Sequence, residues 1–184
     1  TGLEFLACIP GSIGGAIRMN SGCYGEDISQ TLHSIKVIDI LGNSKNISAS
    51  DIKFYYRGSS LDENLIITSV KLQARPSLKD DIQKKQQDLI DQKKIAQPSQ
   101  IKTCGSTFKN TKNKKAWELI KESNCQDLHV GNAKISNKHC NFFINNGNAS
   151  AKELEDLINM VREKVYQKTK IKLDLEIKII GQNN

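Results

Sequence analysis

The segment from Ser150 to Val165 constrains the fold more strongly than any other stretch, because it specifies a helix with one apolar face. Ser150-Ala151-Lys152-Glu153 has the form of a capping box, in which the serine accepts a hydrogen bond from the first turn and the glutamate reaches back. Apolar residues then recur at helical spacing: Leu154, Leu157, Ile158, Val161 and Val165. We interpret this stripe as part of a hydrophobic core and not as a cofactor contact.

Other parts of the chain show strand and turn patterns. Alternating or strongly apolar runs predict strands over 33–40, 46–48, 65–72, 140–144 and 173–181. Gly42-Asn43 indicates a hairpin turn between the first two. Residues 77–95 are instead polar and compatible with a surface helix that bridges two lobes, and residues 116–120 predict a short helix.

Composition excludes several classes of protein. The 184 residues, 38% hydrophobic and 26% charged, suit one substantial domain or two small lobes of an ordinary globular protein. The apolar runs are too short to cross a bilayer and no signal peptide is visible, so we expect a soluble, cytoplasmic protein with no membrane partner. The five cysteines are scattered without a Cys-x-x-Cys pair, which predicts neither a disulfide framework nor a metal site.

The net charge of +7 raises nucleic acid as a possible partner. Much of the basic excess alternates with acidic residues, however, and the chain has no zinc-finger spacing and no aromatic-basic RNA-binding signature. We therefore expect no nucleic-acid partner. Tight binding that falls steeply with salt would indicate the contrary.

Glycines are concentrated between residues 8 and 26, at Gly11, Gly14, Gly15, Gly22 and Gly25. Such density lets backbone N–H groups approach a ligand closely, as in phosphate-binding loops. The spacing matches neither the Rossmann dinucleotide fingerprint nor a Walker loop, which disfavours both of those folds. A series of tight turns between small strands is the alternative interpretation.

A basic stretch that contains no acidic residue surrounds Ser106. Five lysines lie within fourteen residues, namely Lys102, Lys109, Lys112, Lys114 and Lys115. Gly105 gives a partner close access to the backbone, so residues 104–110 suit a site for an anionic small molecule. A solvated basic surface loop is the alternative.

Three further side chains allow either a functional or a structural role. Arg57 follows two tyrosines, so stacking could orient its planar fork toward a carboxylate or phosphate, or the arginine could simply cover the rings. His139 could contact an anion or transfer a proton, although a structural hydrogen bond is the commoner role. Glu176 lies on the charged face of the last predicted strand, where an exposed pair with Lys178 is the simpler interpretation.

These motifs occur in a specific order along the chain. The set comprises Ile9 to Ala16, Tyr56-Arg57, Gly105 to Asn110, Gly131-Asn132-Ala133, Lys138-His139 and Glu176 to Gly181. Together they closely resemble the UDP-N-acetylenolpyruvoylglucosamine reductases, flavoenzymes that complete UDP-N-acetylmuramate in bacterial peptidoglycan synthesis. The resemblance extends from Gly2 to Gly181 and is to the shorter type, which lacks a substrate-capping insertion after Tyr56-Arg57.

The resemblance implies an α+β fold in three parts. Residues 1–75 would be the C-terminal part of an FAD-binding domain of the vanillyl-alcohol-oxidase type, residues 76–97 a polar helical linker, and residues 98–184 an α+β substrate-binding domain. Because the chain opens at Thr1 and runs directly into the glycine-rich motif, we expect the first flavin subdomain to be missing. We expect a monomer.

The resemblance also implies a reaction. NADPH would reduce bound FAD, and the reduced flavin would then give hydride to UDP-N-acetylglucosamine enolpyruvate. Arg57 matches the catalytic arginine that meets the developing negative charge, Ser106 the proton donor, and Glu176 the C-terminal glutamate. Residues that match binding positions are Gly11, Ser12, Gly14, Gly15 and Ala16 for the cofactor, and Lys109, Asn110 and His139 for the substrate.

The sequence departs from the family's pattern at two positions. Ser21 stands where alanine is common, and Thr111 where proline usually follows the asparagine, a change expected to loosen the turn after Ser106. Two other functions remain open. One is an oxidase of the same cofactor-binding family, which would need no Ser106 donor and would consume oxygen, and the other is a domain that only binds UDP-sugar.

Overall fold

The computed structural model describes residues 1–181. The chain divides into two compact units, Thr1–Lys93 and a second that begins at Lys94, and each is described by itself. Both units mix helices with antiparallel strands, which fits the α+β class.

The first unit is built around a three-stranded antiparallel sheet. Its elements are helix α1 (Ile13–Arg18), strands β1 (Gly22–Cys23), β2 (Glu26–Asp27), β3 (Leu32–Ile38), β4 (Ser44–Ser48), β5 (Phe54–Tyr55), β6 (Gly58–Ser59) and β7 (Ile66–Leu72), and most of helix α2 (Lys79–Ala96). The sheet has the order β4-β3-β7. Alternation along β3 buries Ile35 and Val37 against Ile17 of α1, as the two-residue period predicts.

The glycine-rich segment combines helical turns with a small hairpin. A 3-10 helix at Glu4–Cys8 leads through a loop into α1, whose first turn is capped by the Ser12 side chain accepting from the Gly15 N–H. Strands β1 and β2 then pair around a turn that contains Gly25. The tight-turn interpretation is therefore correct for the second half of the segment, and the first half is helical.

Helix α2 is attached to the first unit by an apolar cluster and a cluster of charges. Leu89 packs with Phe5 and Cys8. Lys85 Nζ lies 2.8 Å from a Glu26 oxygen and 3.4 Å from Glu4 Oε2. Burial alone would raise the pKa of Glu4, but hydrogen bonds from Thr1, from nearby backbone amides and from Lys85 outweigh it and lower the pKa to about 2.

The second unit packs two helices against a four-stranded antiparallel sheet. Its elements are β8 (Lys102–Ser106), α3 (Ala116–Glu122), β9 (His129–Val130), β10 (Ala133–Ile135), β11 (Phe142–Asn145) and α4 (Ala151–Thr169), and the sheet has the order β8-β11-β10-β9. The predicted capping box of α4 is confirmed. Ser150 Oγ accepts from the Glu153 N–H at 3.1 Å, and Glu153 Oε2 accepts from the Ser150 N–H at 2.8 Å.

The predicted apolar stripe of α4 is also core. Leu157, Ile158, Val161 and Val165 are buried together with Phe108, Leu119 and Ile135. The helix therefore covers one face of the sheet that carries Ser106 at the end of β8. The stripe thus fixes the scaffold on which the candidate site is built.

Two strand predictions need correction. The strand predicted over 140–144 begins at Phe142, because the Phe142 N–H closes a turn by donating to the His139 carbonyl at 2.9 Å. The strand predicted over 173–181 is wrong. This segment forms an isolated bridge between Leu175 and Phe108, since its neighbour offers only a short stretch around Phe108 for pairing.

Residues 1–181 contain no helix that is both long and apolar enough to cross a membrane. The same residues contain no group of three or more His, Cys, Asp or Glu side chains that could hold a metal ion. All five cysteines are free thiols.

The Glu4 cluster predicts an acid-sensitive contribution to stability. Because the pKa of Glu4 is lowered from 4.5 to about 2 in the fold, its contribution is fully present above pH 4.5 and is lost as the pH falls toward 2. We expect Glu4→Gln to lower the midpoint of thermal unfolding near neutral pH, and the difference from the wild type to shrink between pH 4.5 and 2. Glu63→Gln, at an exposed glutamate, is the control. A Glu4 difference that does not change with pH would contradict the assignment.

Candidate functional site

Ser106 ends strand β8, and a bulge sets its direction. Thr103 pairs with Ile144 and Ser106 pairs with Phe142, so β8 carries one residue more than β11 between these pairs. Gly105 lies in this interval with φ at +84°, a conformation that L side chains rarely adopt. Bulges of this kind re-aim a side chain at the end of a strand. Gly105 is therefore needed for the orientation of Ser106.

The structure brings Glu176 next to the Ser106 segment. The Glu176 N–H donates to the Thr107 carbonyl at 2.9 Å, and the Lys109 N–H donates to the Asp174 carbonyl at 2.8 Å. Ser106 and Glu176 are each half-buried. These two bonds place the proposed proton donor and the C-terminal glutamate on adjacent backbone segments, although they are far apart in sequence.

A buried asparagine that the sequence analysis did not assign holds the other side of this segment. Asn141 is 3% exposed. Its Oδ1 accepts from the Phe108 N–H at 3.0 Å, its Nδ2 donates to the Phe108 carbonyl at 2.8 Å, and its own carbonyl accepts from the Thr107 N–H at 2.8 Å. The signal in the sequence was a polar residue at the head of the apolar run Phe142-Phe143-Ile144.

His139 is held in one tautomer. Its Nδ1 lies 3.2 Å from the Asn141 N–H, which can only donate, so in the neutral ring the proton is on Nε2. Its ring packs edge-on against Phe142 with 4.9 Å between centroids. Burial lowers the pKa of His139. The residue therefore offers a neutral N–H donor near pH 7.

The loop from Lys109 to Lys115 is tied down by its own hydrogen bonds. Asn110 Oδ1 accepts from the Ala116 N–H at the start of α3, at 2.9 Å. Thr111 donates its N–H to the Lys114 carbonyl at 3.0 Å, and its Oγ1 accepts from the Lys114 N–H at 3.0 Å. Proline could supply neither bond, so Thr111 contributes hydrogen bonds of its own to this turn. The expectation that the turn is looser than one with proline stays a prediction.

Arg57 lies in the first unit, in the two-residue loop between β5 and β6. Its φ of +57° is unusual for a residue with a side chain. The guanidinium carbon stands 4.9 Å from the centre of the Tyr56 ring, which is the stacking that the sequence suggested. A positive φ also occurs at Asn20, Tyr24, Gln100, Asn124 and Lys170, so this conformation does not distinguish a functional from a structural role for Arg57.

The glycine-rich loop of the first unit lines a cavity of about 360 Å³. Four of the five predicted cofactor residues line it, namely Gly11, Ser12, Gly15 and Ala16. The fifth, Gly14, lies in the first turn of α1. A Cβ on Gly11 would meet nothing within 4 Å, so the backbone there is open to an approaching group. The predicted cofactor residues thus form one cluster on this loop, and the candidates of the second unit lie on segments joined to that of Ser106, whereas Arg57 lies apart on the loop between β5 and β6.

Comparison with known proteins gives a consistent result. Residues 97–180 match the family described as UDP-N-acetylenolpyruvoylglucosamine reductase, C-terminal domain. Relatives named UDP-N-acetylenolpyruvoylglucosamine reductase occur in Pelagibacter ubique, with 46% identity over 182 residues, and in Orientia tsutsugamushi strain Boryong, with 42% identity over 183 residues. These alignments cover 97% and 100% of this chain and 60% of each relative.

A solved structure is also similar. The crystal structure of UDP-N-acetylenolpyruvylglucosamine reductase from Thermus caldophilus aligns with a TM-score of 0.86 and 32% identity, over 97% of this chain and 64% of that one. Residues 97–180 therefore carry the C-terminal domain of the UDP-N-acetylenolpyruvoylglucosamine reductases, and the chain is similar to these reductases over 97% of its length. It spans about 60% of the length of the curated relatives it matches.

The left-handed conformation of Arg57 predicts that glycine is tolerated better than alanine at this position. Both substitutions remove the same side-chain contacts, but only alanine keeps the cost of a positive φ, which is ~1–2 kcal/mol for a residue with a side chain. We expect Arg57→Gly to exceed Arg57→Ala in the free energy of unfolding by about 1 kcal/mol in urea titrations. Equal stability of the two variants would contradict the left-handed conformation.

The environment of His139 predicts a specific NMR signature. We expect its ring to titrate below pH 6.5, because burial disfavours the charged form, and to show the Nε2–H tautomer in long-range ¹H–¹⁵N spectra. Loss of these signals in His139→Gln assigns them. A ring that is protonated at pH 7, or that carries its proton on Nδ1, would contradict the structure.

Proposed function

We propose that this chain is part of an NADPH- and FAD-dependent reductase that converts UDP-N-acetylglucosamine enolpyruvate to UDP-N-acetylmuramate for peptidoglycan synthesis. The observation that carries the proposal is the hydrogen-bonded adjacency of the Ser106 and Glu176 segments through Thr107. These two positions match the family's proton donor and C-terminal glutamate, and the chain is similar to a relative of that family over 97% of its length.

The first unit fits a role in holding FAD. The glycine-rich loop lines a cavity, and its backbone is open at Gly11 and lacks side chains at Gly14 and Gly15. Gly11, Ser12, Gly14, Gly15 and Ala16 would hold the cofactor, which would supply the hydride. We accordingly assign residues 1–75 to the FAD-binding domain, 76–97 to a linker and 98–184 to the substrate-binding domain of a monomeric, cytoplasmic enzyme.

Ser106 would complete the reduction by protonating the substrate. Once hydride has reached the methylene carbon of the enolpyruvyl group, the adjacent carbon bears negative charge that spreads into the carboxylate. Arg57 would stabilise that charge as a fixed cation. Ser106 Oγ would then transfer its proton to the adjacent carbon and regain one from solvent, and Glu176 would organise this relay.

A serine hydroxyl is a weak acid, so this role needs help from its surroundings. Lys109 and the neighbouring lysines would stabilise the developing alkoxide, because a nearby positive charge favours the anionic form. Asn110 is anchored to α3 through Oδ1, which fixes the plane of its amide beside this basic loop. His139, as a neutral Nε2–H donor, would hydrogen-bond the uridine diphosphate of the substrate.

The two half-reactions of the full-length protein test the proposal. We expect NADPH to bleach a bound flavin and the enolpyruvyl nucleotide to restore its colour. Ser106→Ala should slow the second step by ~10²–10⁴-fold, the usual contribution of general acid catalysis, and leave the first unchanged. Ser99→Ala, at an exposed serine of the same unit, is the control and should change neither.

Other results would overturn the proposal. Equal slowing of both half-reactions in Ser106→Ala would exclude the donor role. A flavin that is reoxidised by oxygen and not by the nucleotide would favour the oxidase alternative. Binding of UDP-sugar without any flavin absorbance would favour a binding domain.

A further inference from the structure

Asn141 uses all four of its polar groups on segments of the candidate site. Its side chain holds both backbone groups of Phe108, at 3.0 and 2.8 Å. Its carbonyl accepts from the Thr107 N–H at 2.8 Å, and its N–H donates to His139 Nδ1 at 3.2 Å. A side chain that is 3% exposed and paired at both ends is fixed in position.

The side chain of Asn141 forms the two hydrogen bonds with Phe108 that the backbone of a neighbouring strand would otherwise form. Strand β11 pairs with Ser106 at Phe142, but the chain before Phe142 turns away at His139. Phe108 would therefore have no backbone partner on this side. The Asn141 amide offers one acceptor and one donor in the arrangement of a peptide group, and so it extends the pairing by one residue beyond the end of the strand.

The opposite side of the same short segment binds the Glu176 segment. Thr107 accepts from the Glu176 N–H at 2.9 Å, and Phe108 forms a bridge with Leu175. Residues 107 and 108 therefore lie between Asn141 on one side and residues 175 and 176 on the other. A shift of this segment would move Ser106 and Glu176 relative to each other.

We propose that Asn141 is a positioning residue that sets the placement of Ser106 against Glu176, acting through Thr107 and Phe108. This inference rests on the proposed function, in which Ser106 donates a proton to the substrate. Displacement of a reacting group by about 1 Å can lower a rate by ~10²-fold. The amide of Asn141 would thus affect turnover without touching a reacting atom.

The chain offers a matched control in Asn145, on the same strand. Asn145 Oδ1 accepts from the Ala149 N–H at 2.9 Å, and its Nδ2 donates to the Ala149 carbonyl at 3.1 Å. This is the same two-bond clamp on one residue's backbone, but it holds the turn before α4. Asn145→Ala therefore removes equivalent hydrogen bonds without acting on the Ser106 segment.

The test compares Asn141→Ala, Asn141→Asp and Asn145→Ala in the full-length protein. Asn141→Asp keeps the acceptor for the Phe108 N–H but sets an acceptor against the Phe108 carbonyl, so it serves if the alanine variant does not fold. We expect both Asn141 variants to slow reduction of the enolpyruvyl nucleotide by ~10²-fold while flavin reduction by NADPH stays within about twofold. In a Ser106→Ala background, the same Asn141 changes should have little further effect, because the group they position is absent.

Hydrogen exchange supplies a readout that does not depend on activity. The Phe108 and Glu176 amides of the wild type should exchange through one common opening, and both should lose protection in Asn141→Ala but not in Asn145→Ala. Independent opening of these two amides in the wild type would overturn the inference. So would a full effect of Asn141→Asp in the Ser106→Ala background, or equal slowing of both half-reactions.

Failure of the proposed function gives a different result. A wild-type protein that binds flavin but does not reduce the enolpyruvyl nucleotide would overturn the reaction. Joint protection of the two amides would then still support the placement of the Ser106 segment by Asn141. If the two amides were not protected jointly, the placement of the Ser106 segment by Asn141 would be contradicted as well.

Discussion

The candidate site depends on hydrogen bonds that hold three residues, Thr107 to Lys109, from both sides. Asn141 pairs with Thr107 and Phe108 on one side, and residues 174–176 pair with Thr107 and Lys109 on the other. Each such bond contributes only ~1 kcal/mol net to stability, but a buried backbone group left without a partner costs about 1–3 kcal/mol. The arrangement is therefore kept less by the strength of its bonds than by the penalty for breaking any one of them, since Phe108 is 1% exposed.

The core of the second unit explains why so short a segment can be fixed. Phe108 packs edge-on against Phe143 with 5.8 Å between ring centroids, and both rings are in the cluster covered by α4. The Phe108 side chain anchors the segment in the core, while hydrogen bonds with Asn141 and with residues 174–176 hold its backbone on two sides. Ser106 lies two residues before Phe108, and Glu176 lies one residue after the Leu175 bridge. Both are thereby placed at the margin of the core, where they are half-buried.

Sequence reasoning predicted elements whose signals are local. The capping box and stripe of α4, the β3 and β7 strands and the polar helix α2 follow from spacing within each segment. It overestimated the last strand, because alternation from Leu173 to Ile180 specifies an extended chain with a buried face but not the length of its partner. Leu173 is indeed buried, yet Ile180 is 92% exposed. Asn141 was missed for a related reason. Its role depends on where the chain leaves the sheet, which a polar residue before Phe142 does not by itself specify.

The charge of the candidate site also depends on contacts that the sequence pattern does not show. Lysines close together in sequence indicated an anion site, but Lys114 forms an ion pair with Glu122 at 2.6 Å, so its charge is partly neutralised. The side chains of Asn110 and Thr111 accept hydrogen bonds from the backbone of the loop and of the first residue of α3. His139, placed among anion contacts by its sequence position, is neutral near pH 7 because burial lowers its pKa. Net positive charge around Ser106 is thus smaller than the count of basic residues suggests. A neutral donor such as His139 is compatible with this balance, since it recognises phosphate oxygens without adding a charge that would have to be desolvated when substrate binds.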